Sequence, residues 1–373
     1  MAFACCRERH ARRRCATVGR RRARALAAGG ACHYPRRFVR LLLLHTGGTL
    51  MMRGGNPTPL APDVYTQDLL AELPILRKIA EIETRILFNL DSSNMQPHHW
   101  VELAATLHRE RERYDGFVVV HGTDTMAYTA SALAFLLPGL DRTVALTGSQ
   151  KPLVDVRSDA RANLVDACHL AALRIPEVGI AFGSRFLRGC RSSKLDAWSM
   201  SAFGSPSCAP LAELGISVRI APHVLAPRPP EPFDPRIEPR VLGVRIYPGL
   251  DPLLLHGALA ADVRGVVLEG FGAGNVPHLE GSLISVIEAA RARDVPVVIV
   301  SQTPRGAVDL TAYEGGAAAG RAGAIGAGDM TTEAALTKLM ITIGRAQSGT
   351  GGEGGRVRAV REAFAVAPAG EMS

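Results

Sequence analysis

Long apolar runs are missing from this chain of 373 residues, whose longest strings are short stretches such as Leu41 to Leu44. A helix that crosses a membrane needs about 18 or more consecutive apolar positions, so no membrane partner is expected. Paired cysteines are missing too. Cys5, Cys6, Cys15 and Cys32 crowd into the start of the chain, while Cys168, Cys190 and Cys208 are scattered without a CxxC pair or a metal-ligand spacing. Neither a disulfide framework nor a metal site is indicated, and an odd cysteine count in a chain of this size fits a reducing, cytoplasmic location. Acidic residues are scarce at the N-terminus, where residues 1–40 hold twelve arginines against one glutamate. That segment carries +11, so the net charge of +8 leaves −3 for the rest, and the body offers no basic footprint for nucleic acid. Residues 1–38 read as an unstructured Arg-rich extension in preference to a targeting signal or a nucleic-acid arm. The stretch Ala25 to Ala31 is too short and too glycine-diluted for a signal-peptide apolar region.

What is present is ample apolar material: 47% of the residues are hydrophobic, enough for a sizeable core and, at this length, for two domains. Short buried-strand runs at Val39–Leu44, Gly116–Val120 and Thr143–Leu146 each lead into a glycine-containing turn. Segments of helical period, Asp68–Ala80, Gln96–Arg113 and Ser158–Leu173, alternate with them. This alternation predicts an α/β fold with a doubly wound, mostly parallel sheet in a larger N-terminal domain, residues 39–220. Seven prolines between Pro222 and Pro239 mark residues 221–240 as an extended linker. Beyond it, runs at Val241–Ile246, Gly265–Leu268 and Val295–Val300 predict a smaller α/β domain over residues 241–373, with a Gly-rich stretch at 348–355 and a terminal helix at Arg356–Phe364.

Parallel strands point their carboxyl ends to one sheet edge, where ligands bind. Four hydroxyl-rich turns meet there in this reading: His45-Thr46-Gly47-Gly48-Thr49, Asp91-Ser92-Ser93, His121-Gly122-Thr123-Asp124-Thr125 and Thr147-Gly148-Ser149-Gln150. One such turn is a weak signal, since a glycine turn after a strand also cradles a phosphate or simply reverses the chain. Four at one edge are hard to explain as packing.

The segments LHTGGTL, LDSSNMQPHHW, VVHGTDTMAYTASAL, LTGSQKPLVDVRSDARANL, FLRGCRSSKLDAW, EGFGAGNVP and GAGDMTTEAALTKL stand in one order across both domains. In that order the chain resembles the type I L-asparaginases over residues 39–345. The resemblance implies hydrolysis of the side-chain amide of asparagine through a threonine acyl-enzyme, with no metal or organic cofactor. Thr49 matches the nucleophile, Thr123 the second threonine that deprotonates or aligns the attacking group, and Lys194 the lysine of a relay with Asp124 and Thr123, akin to a Ser-His-Asp arrangement. Asp124, together with Asp91, Ser92 and Ser93, matches the groups that grip the ammonium and carboxylate of a free amino acid. Ser149 is a substrate-side candidate whose backbone N–H, like that of Thr49, is placed to hold an oxyanion. Thr46 and Thr125 are read as loop-fastening hydroxyls. His45 and His121 are read as hydrogen-bonded core histidines rather than proton shuttles.

The resemblance also implies a homodimer or homotetramer. It links Ser301-Gln302-Thr303 to a place where some members bind asparagine allosterically; Thr303 stands where others carry cysteine, and strong cooperativity is not expected. One departure concerns the lid: members carry a tyrosine shortly after the TGGT turn, whereas this chain has Arg53-Gly54-Gly55-Asn56-Pro57-Thr58-Pro59, with Tyr65 further on. Two other readings remain open at this point. One is a related amidase, a glutaminase or the ammonia-supplying subunit of a tRNA-dependent amidotransferase. The other is a binding protein on a dead hydrolase fold, recruited through the Arg-rich tail.

Overall fold

Leu41, Leu42, Leu43 and Leu44 are all fully buried, which a strand achieves only when both of its faces are covered. They lie on β1 (Arg40–Gly47) of the protein, a computed structural model that describes residues 39–51, 69, 74–346 and 355–373. β1 pairs in parallel with β2 (Glu81–Leu90) on one side and with β3 (Gly116–Val120) on the other. β4 (Thr143–Thr147) and β5 (Val178–Phe182) continue the parallel set. The chain then turns back into β6 (Arg185–Arg188), forms a two-residue ribbon of β7 (Ser193–Lys194) with β8 (Phe203–Gly204), and adds β9 (Ala212–Leu214) and β10 (Val218–Ile220) as an antiparallel extension. The main sheet runs β10-β9-β6-β5-β4-β3-β1-β2.

Alternate side chains of a strand face opposite ways, and here each set has its own cover. Leu42, Leu44 and Val119 pack with α1 (Pro97–Glu110) and α2 (Met126–Leu136), whereas Leu41, Leu43 and Val118 pack with α3 (Ala160–Ala172). The second domain holds a parallel sheet, β11 (Val241–Arg245), β12 (Gly265–Gly270), β13 (Val297–Ser301) and β14 (Ile325–Gly326), in that order. Its helices α4 (Pro252–Ala260), α5 (Ile284–Ala292) and α6 (Glu314–Ala322) cover one face, centred on Leu259, Ile287 and Ala319. The other face carries α7 (Thr332–Ala346) and α8 (Gly355–Phe364), and its residues Val267, Leu339 and Phe364 belong to the same apolar cluster as Met126 and Leu133 of α2. The two domains therefore share a dry seam. It explains why α2, apolar all round, is buried on nearly every side.

The mixed α/β architecture with two largely parallel sheets is the one the strand runs predict. Differences are local. Within Asp68–Ala80 the described part from Pro74 is a single 3-10 turn, Pro74–Lys78, and β2 follows at Glu81, so the expected long helix does not extend there. Proline lacks an N–H and is tolerated only at a helix start. β2 is not among the strand runs read from the sequence, because its sequence EIETRILFNL mixes charged and apolar side chains and lies half-buried at the sheet edge. Residues 221–240 contain neither helix nor strand. The Arg-rich extension, the segment holding Arg53–Pro59 and Tyr65, and most of the Gly-rich 348–355 stretch lie outside the described residues. Among the described residues no helix is long and apolar enough to cross a membrane.

Candidate active site

The strand order β4-β3-β1-β2 sets four carboxyl-terminal turns side by side, where the strand order reverses: the chain passes from β1 to β2 on one side and then to β3 and β4 on the other. Contact between them is through backbone. Gly48 has φ +93°, and a Cβ there would lie 2.6 Å from Cα of Gly122; a Cβ on Gly122 would lie 2.6 Å from Ser92 Oγ. Glycine at both positions lets the turn before Thr49, the turn before Thr123 and the Asp91–Ser93 turn touch. Hydroxyls fasten the same turns: Thr46 Oγ1 donates to Val120 O at 3.0 Å and Thr125 Oγ1 to Ser92 O at 2.7 Å. Thr46 and Thr125 thus take the loop-fastening part expected of them.

Lys194 reaches this cluster from β7. Its Nζ donates to Thr123 Oγ1 at 2.8 Å and to Asp124 Oδ1 at 2.6 Å. The lysine side chain is 20% exposed and that of Asp124 is 64% exposed, so the carboxylate still faces solvent while it holds the ammonium. Thr123 Oγ1 in turn donates to Gln150 Oε1 at 3.4 Å. Thr49 follows Gly48 on a 3-10 turn, Thr49–Met51, and among the described residues its hydroxyl has no hydrogen-bond partner. Ser149 is buried, with a hydroxyl that likewise has no partner among the described residues. Asp91 caps its own turn, accepting from Ser93 N at 2.9 Å and Ser93 Oγ at 2.7 Å; these two donors hold its carboxyl below the usual carboxylate range. Thr123, Asp124 and Lys194 are thus joined directly, and Thr49, Ser92 and Ser149 sit on turns that abut them.

His121 is fully enclosed. Its Nδ1 lies 2.7 Å from Gly122 O and its Nε2 2.9 Å from Thr129 Oγ1, which accepts from Trp100 Nε1 at 3.0 Å. The carbonyl requires a proton on Nδ1, which leaves Nε2 to accept from Thr129. Burial lowers His121 from 6.5 to about 4, the hydrogen bond to Gly122 opposing, and burial with the neighbouring His121 lowers His45 to about 4. Both are buried, neutral histidines, and for His121 the expected hydrogen-bonded core role is the one observed.

Several supporting residues carry no role in the motif reading. Gln150 Nε2 donates to Ala197 O at 3.3 Å and Ser199 O at 3.1 Å, tying the loop after Lys194 to Thr123. Asp159 accepts from the backbone of Gln150 and Lys151, and Asn163 Nδ2 donates to Gly148 O at 3.0 Å, so α3 and its leading turn hold the Ser149 turn. The SDARAN segment was visible as a motif; its partners were not. Ser301, Gln302 and Thr303 line a cavity of about 290 Å³ at the carboxyl ends of the second sheet, with Glu269, Asp329 and Glu333 and with Ser193 and Leu195, which flank Lys194 in sequence. Among the described residues no group of three or more His, Cys, Asp or Glu is placed to hold a metal ion.

The fold and this cluster define a class: an α/β enzyme whose site gathers hydroxyls, a lysine and a carboxylate, the groups that nucleophilic attack by a hydroxyl requires. Residues 40–225 match the family model for the asparaginase N-terminal domain, and residues 240–350 match that for the glutaminase/asparaginase C-terminal domain. The chain is 41% identical over 313 residues to an L-asparaginase of Thermococcus kodakarensis, covering 82% of this chain and 93% of that protein. It is 38% identical over 314 residues to L-asparaginase 1 of Escherichia coli K12, covering 80% and 90%. The solved thermostable L-asparaginase from Thermococcus kodakarensis superposes with a TM-score of 0.81 at 38% identity, over 90% of this chain and 99% of that one. The chain belongs to the asparaginase family.

Gly48→Ala is expected to cost about 2 kcal/mol of stability, since the added Cβ meets backbone and the positive φ disfavours an L side chain; urea unfolding measures it. The buried histidines set a pH window. The unfolded chain takes up protons as pH falls through 6.5, while the folded chain resists until about 4, so stability is full above 6.5 and declines between those values. Each histidine contributes up to about 1.4 kcal/mol per pH unit within that window, and urea midpoints recorded at pH 7 and pH 5 are expected to fall accordingly.

Proposed function

We propose that this protein hydrolyses the side-chain amide of L-asparagine to L-aspartate and ammonia through an acyl-enzyme on Thr49. The observation that carries the reading is the Lys194 ammonium donating at once to Thr123 Oγ1 and Asp124 Oδ1, beside a turn that presents Thr49. Asp124 is exposed enough to bind the ammonium of a free amino acid, and the anionic Asp91 turn flanks it. The amide carbon is attacked by Thr49 Oγ1; the C–N bond breaks, and the hydroxyl proton leaves with ammonia. Water, aligned by Thr123, then cleaves the ester to aspartate and restores the Thr49 hydroxyl. Lys194 stabilises negative charge on Thr123 Oγ1 as that hydroxyl takes part in moving the proton. Backbone N–H groups near Thr49 and Ser149 supply oxyanion donors. Glutamine, one methylene longer, is rejected by only about 1 to 3 kcal/mol in a pocket of this kind.

The reading includes a homodimer or homotetramer, supported by exposed apolar side chains beside the site at Leu195 (57%) and Trp198 (91%). Light scattering of the purified protein is expected to give a mass of at least two chains. Thr49→Ala, Thr123→Ala and Lys194→Ala are each expected to lower kcat/KM for asparagine by about 10³-fold or more with the fold intact by circular dichroism. Ammonia release is the measurement, run without partner proteins, which separates this reading from the amidotransferase subunit. Undiminished turnover by Thr49→Ala would refute the assigned nucleophile.

A further inference from the structure

Lys194 stands on a strand of two residues paired to another of two, β7 with β8. So short a ribbon has no independent stability, yet it has to hold one amine within hydrogen-bond reach of Thr123 and Asp124. The residues just before Lys194 show how. Arg191, buried, donates Nη1 to Asp329 Oδ1 and Nη2 to Asp329 Oδ2, each at 2.7 Å, across to the second domain. It also donates to Asp329 O at 3.4 Å, Ser207 O at 2.9 Å, Glu371 O at 2.9 Å and Ser373 Oγ at 3.1 Å. Ser193 Oγ donates to Glu333 Oε2, on α7, at 3.0 Å. Residues 369–373 close the arrangement from behind: Ser373 N and Oγ both donate to Asp329 at 2.9 Å, and the fully buried Glu371 pairs with Lys338 of α7.

We propose that Asp329, Glu333 and the segment Ala369–Ser373 are positioning elements that register Lys194 against Thr123 and Asp124, acting through Arg191 and Ser193. The inference rests on the proposed hydrolase reading, in which Lys194 works on Thr123. It gives the second domain a part in turnover without contact with substrate. Among the described residues, the side-chain hydrogen bonds from this stretch into that domain come from Ser193, Arg191 and Cys190, one, three and four positions upstream of Lys194, the last donating Sγ to Ala369 O at 3.3 Å, so a shift of the second domain is delivered to the amine. A misplacement of about 1 Å at such a group costs about 100-fold in rate.

The experiment compares Asp329→Asn, Ser193→Ala, Ser193→Thr and removal of Met372 and Ser373, which leaves the Lys338–Glu371 pair in place. Kinetics on asparagine give kcat, KM and the pH dependence of kcat; amide exchange followed by mass spectrometry reports on residues 192–195. Asp329→Asn, Ser193→Ala and the two-residue removal are expected to lower kcat by about tenfold or more with KM changed less than about threefold, to displace the pH profile of kcat, and to speed exchange at 192–195. Ser193→Thr, which keeps the hydroxyl, is expected to restore most of the rate. Loss of folded protein alone would lower kcat without displacing the pH profile. Should Asp329→Asn fail to fold because Arg191 loses its counter-ion, Ser193→Ala decides. Wild-type kcat and an unmoved pH profile in folded Ser193→Ala, or unchanged exchange at 192–195 in folded variants, would overturn the proposal. If the wild-type protein releases no ammonia from asparagine, the hydrolase reading falls, and the exchange measurement alone settles the positioning claim.

Discussion

The chemistry proposed for this site depends on one ammonium group held in one place. Lys194 Nζ must contact a hydroxyl and a carboxylate from a loop 70 residues away in sequence, and the carboxylate is mostly exposed. An ion pair open to solvent contributes roughly 0–1 kcal/mol, too little to fix a flexible lysine by attraction alone. The geometry is therefore imposed by the scaffold. The surrounding features, glycine contacts between turns, hydroxyls spanning strand ends and the buried arginine beneath β7, are the parts of that scaffold nearest the amine.

Electrostatic economy around the cluster follows the same logic. His45 lies on β1 and His121 directly follows β3, so both lead into the candidate site's turns. Burial keeps both rings neutral near pH 7, and for His121 the bonds to Gly122 and Thr129 define which nitrogen carries the proton. The same enclosure makes the fold sensitive to acid well above the range where carboxylates titrate. A neutral core beside the site and a pH-dependent stability are thus one property seen twice.

Much of the fold was legible because buried parallel strands are nearly all apolar: Leu41–Leu44 and Gly116–Val120 announce themselves without context. β2 did not, because an edge strand faces water and carries Glu83 and Arg85 between its apolar residues. The candidate site was legible as motifs: Thr123, Asp124 and Lys194 were named from sequence, and their side chains do meet. Gln150 and Arg191 were not assigned because their partners are carbonyls, carboxylates and hydroxyls from 16 to 182 residues distant. No local pattern carries such pairings. They become visible only when the sheet order brings the elements together.

The seam between the domains shows why the buried ionic groups are there at all. Apolar packing of α2 against α7 already joins the two sheets, and replacing a buried ion pair by apolar side chains is often neutral or stabilising. Adhesion is thus not a sufficient reason for Arg191–Asp329, the buried pair that crosses from one domain to the other, to sit where it does. An apolar contact tolerates sliding, because dispersion and burial depend weakly on register. A bidentate guanidinium–carboxylate pair does not: its two bonds fix direction as well as distance. Such a pair stands three residues before Lys194, so the contact between the domains is indexed there rather than free to slide, which is the physical ground of the positioning role proposed for the second domain.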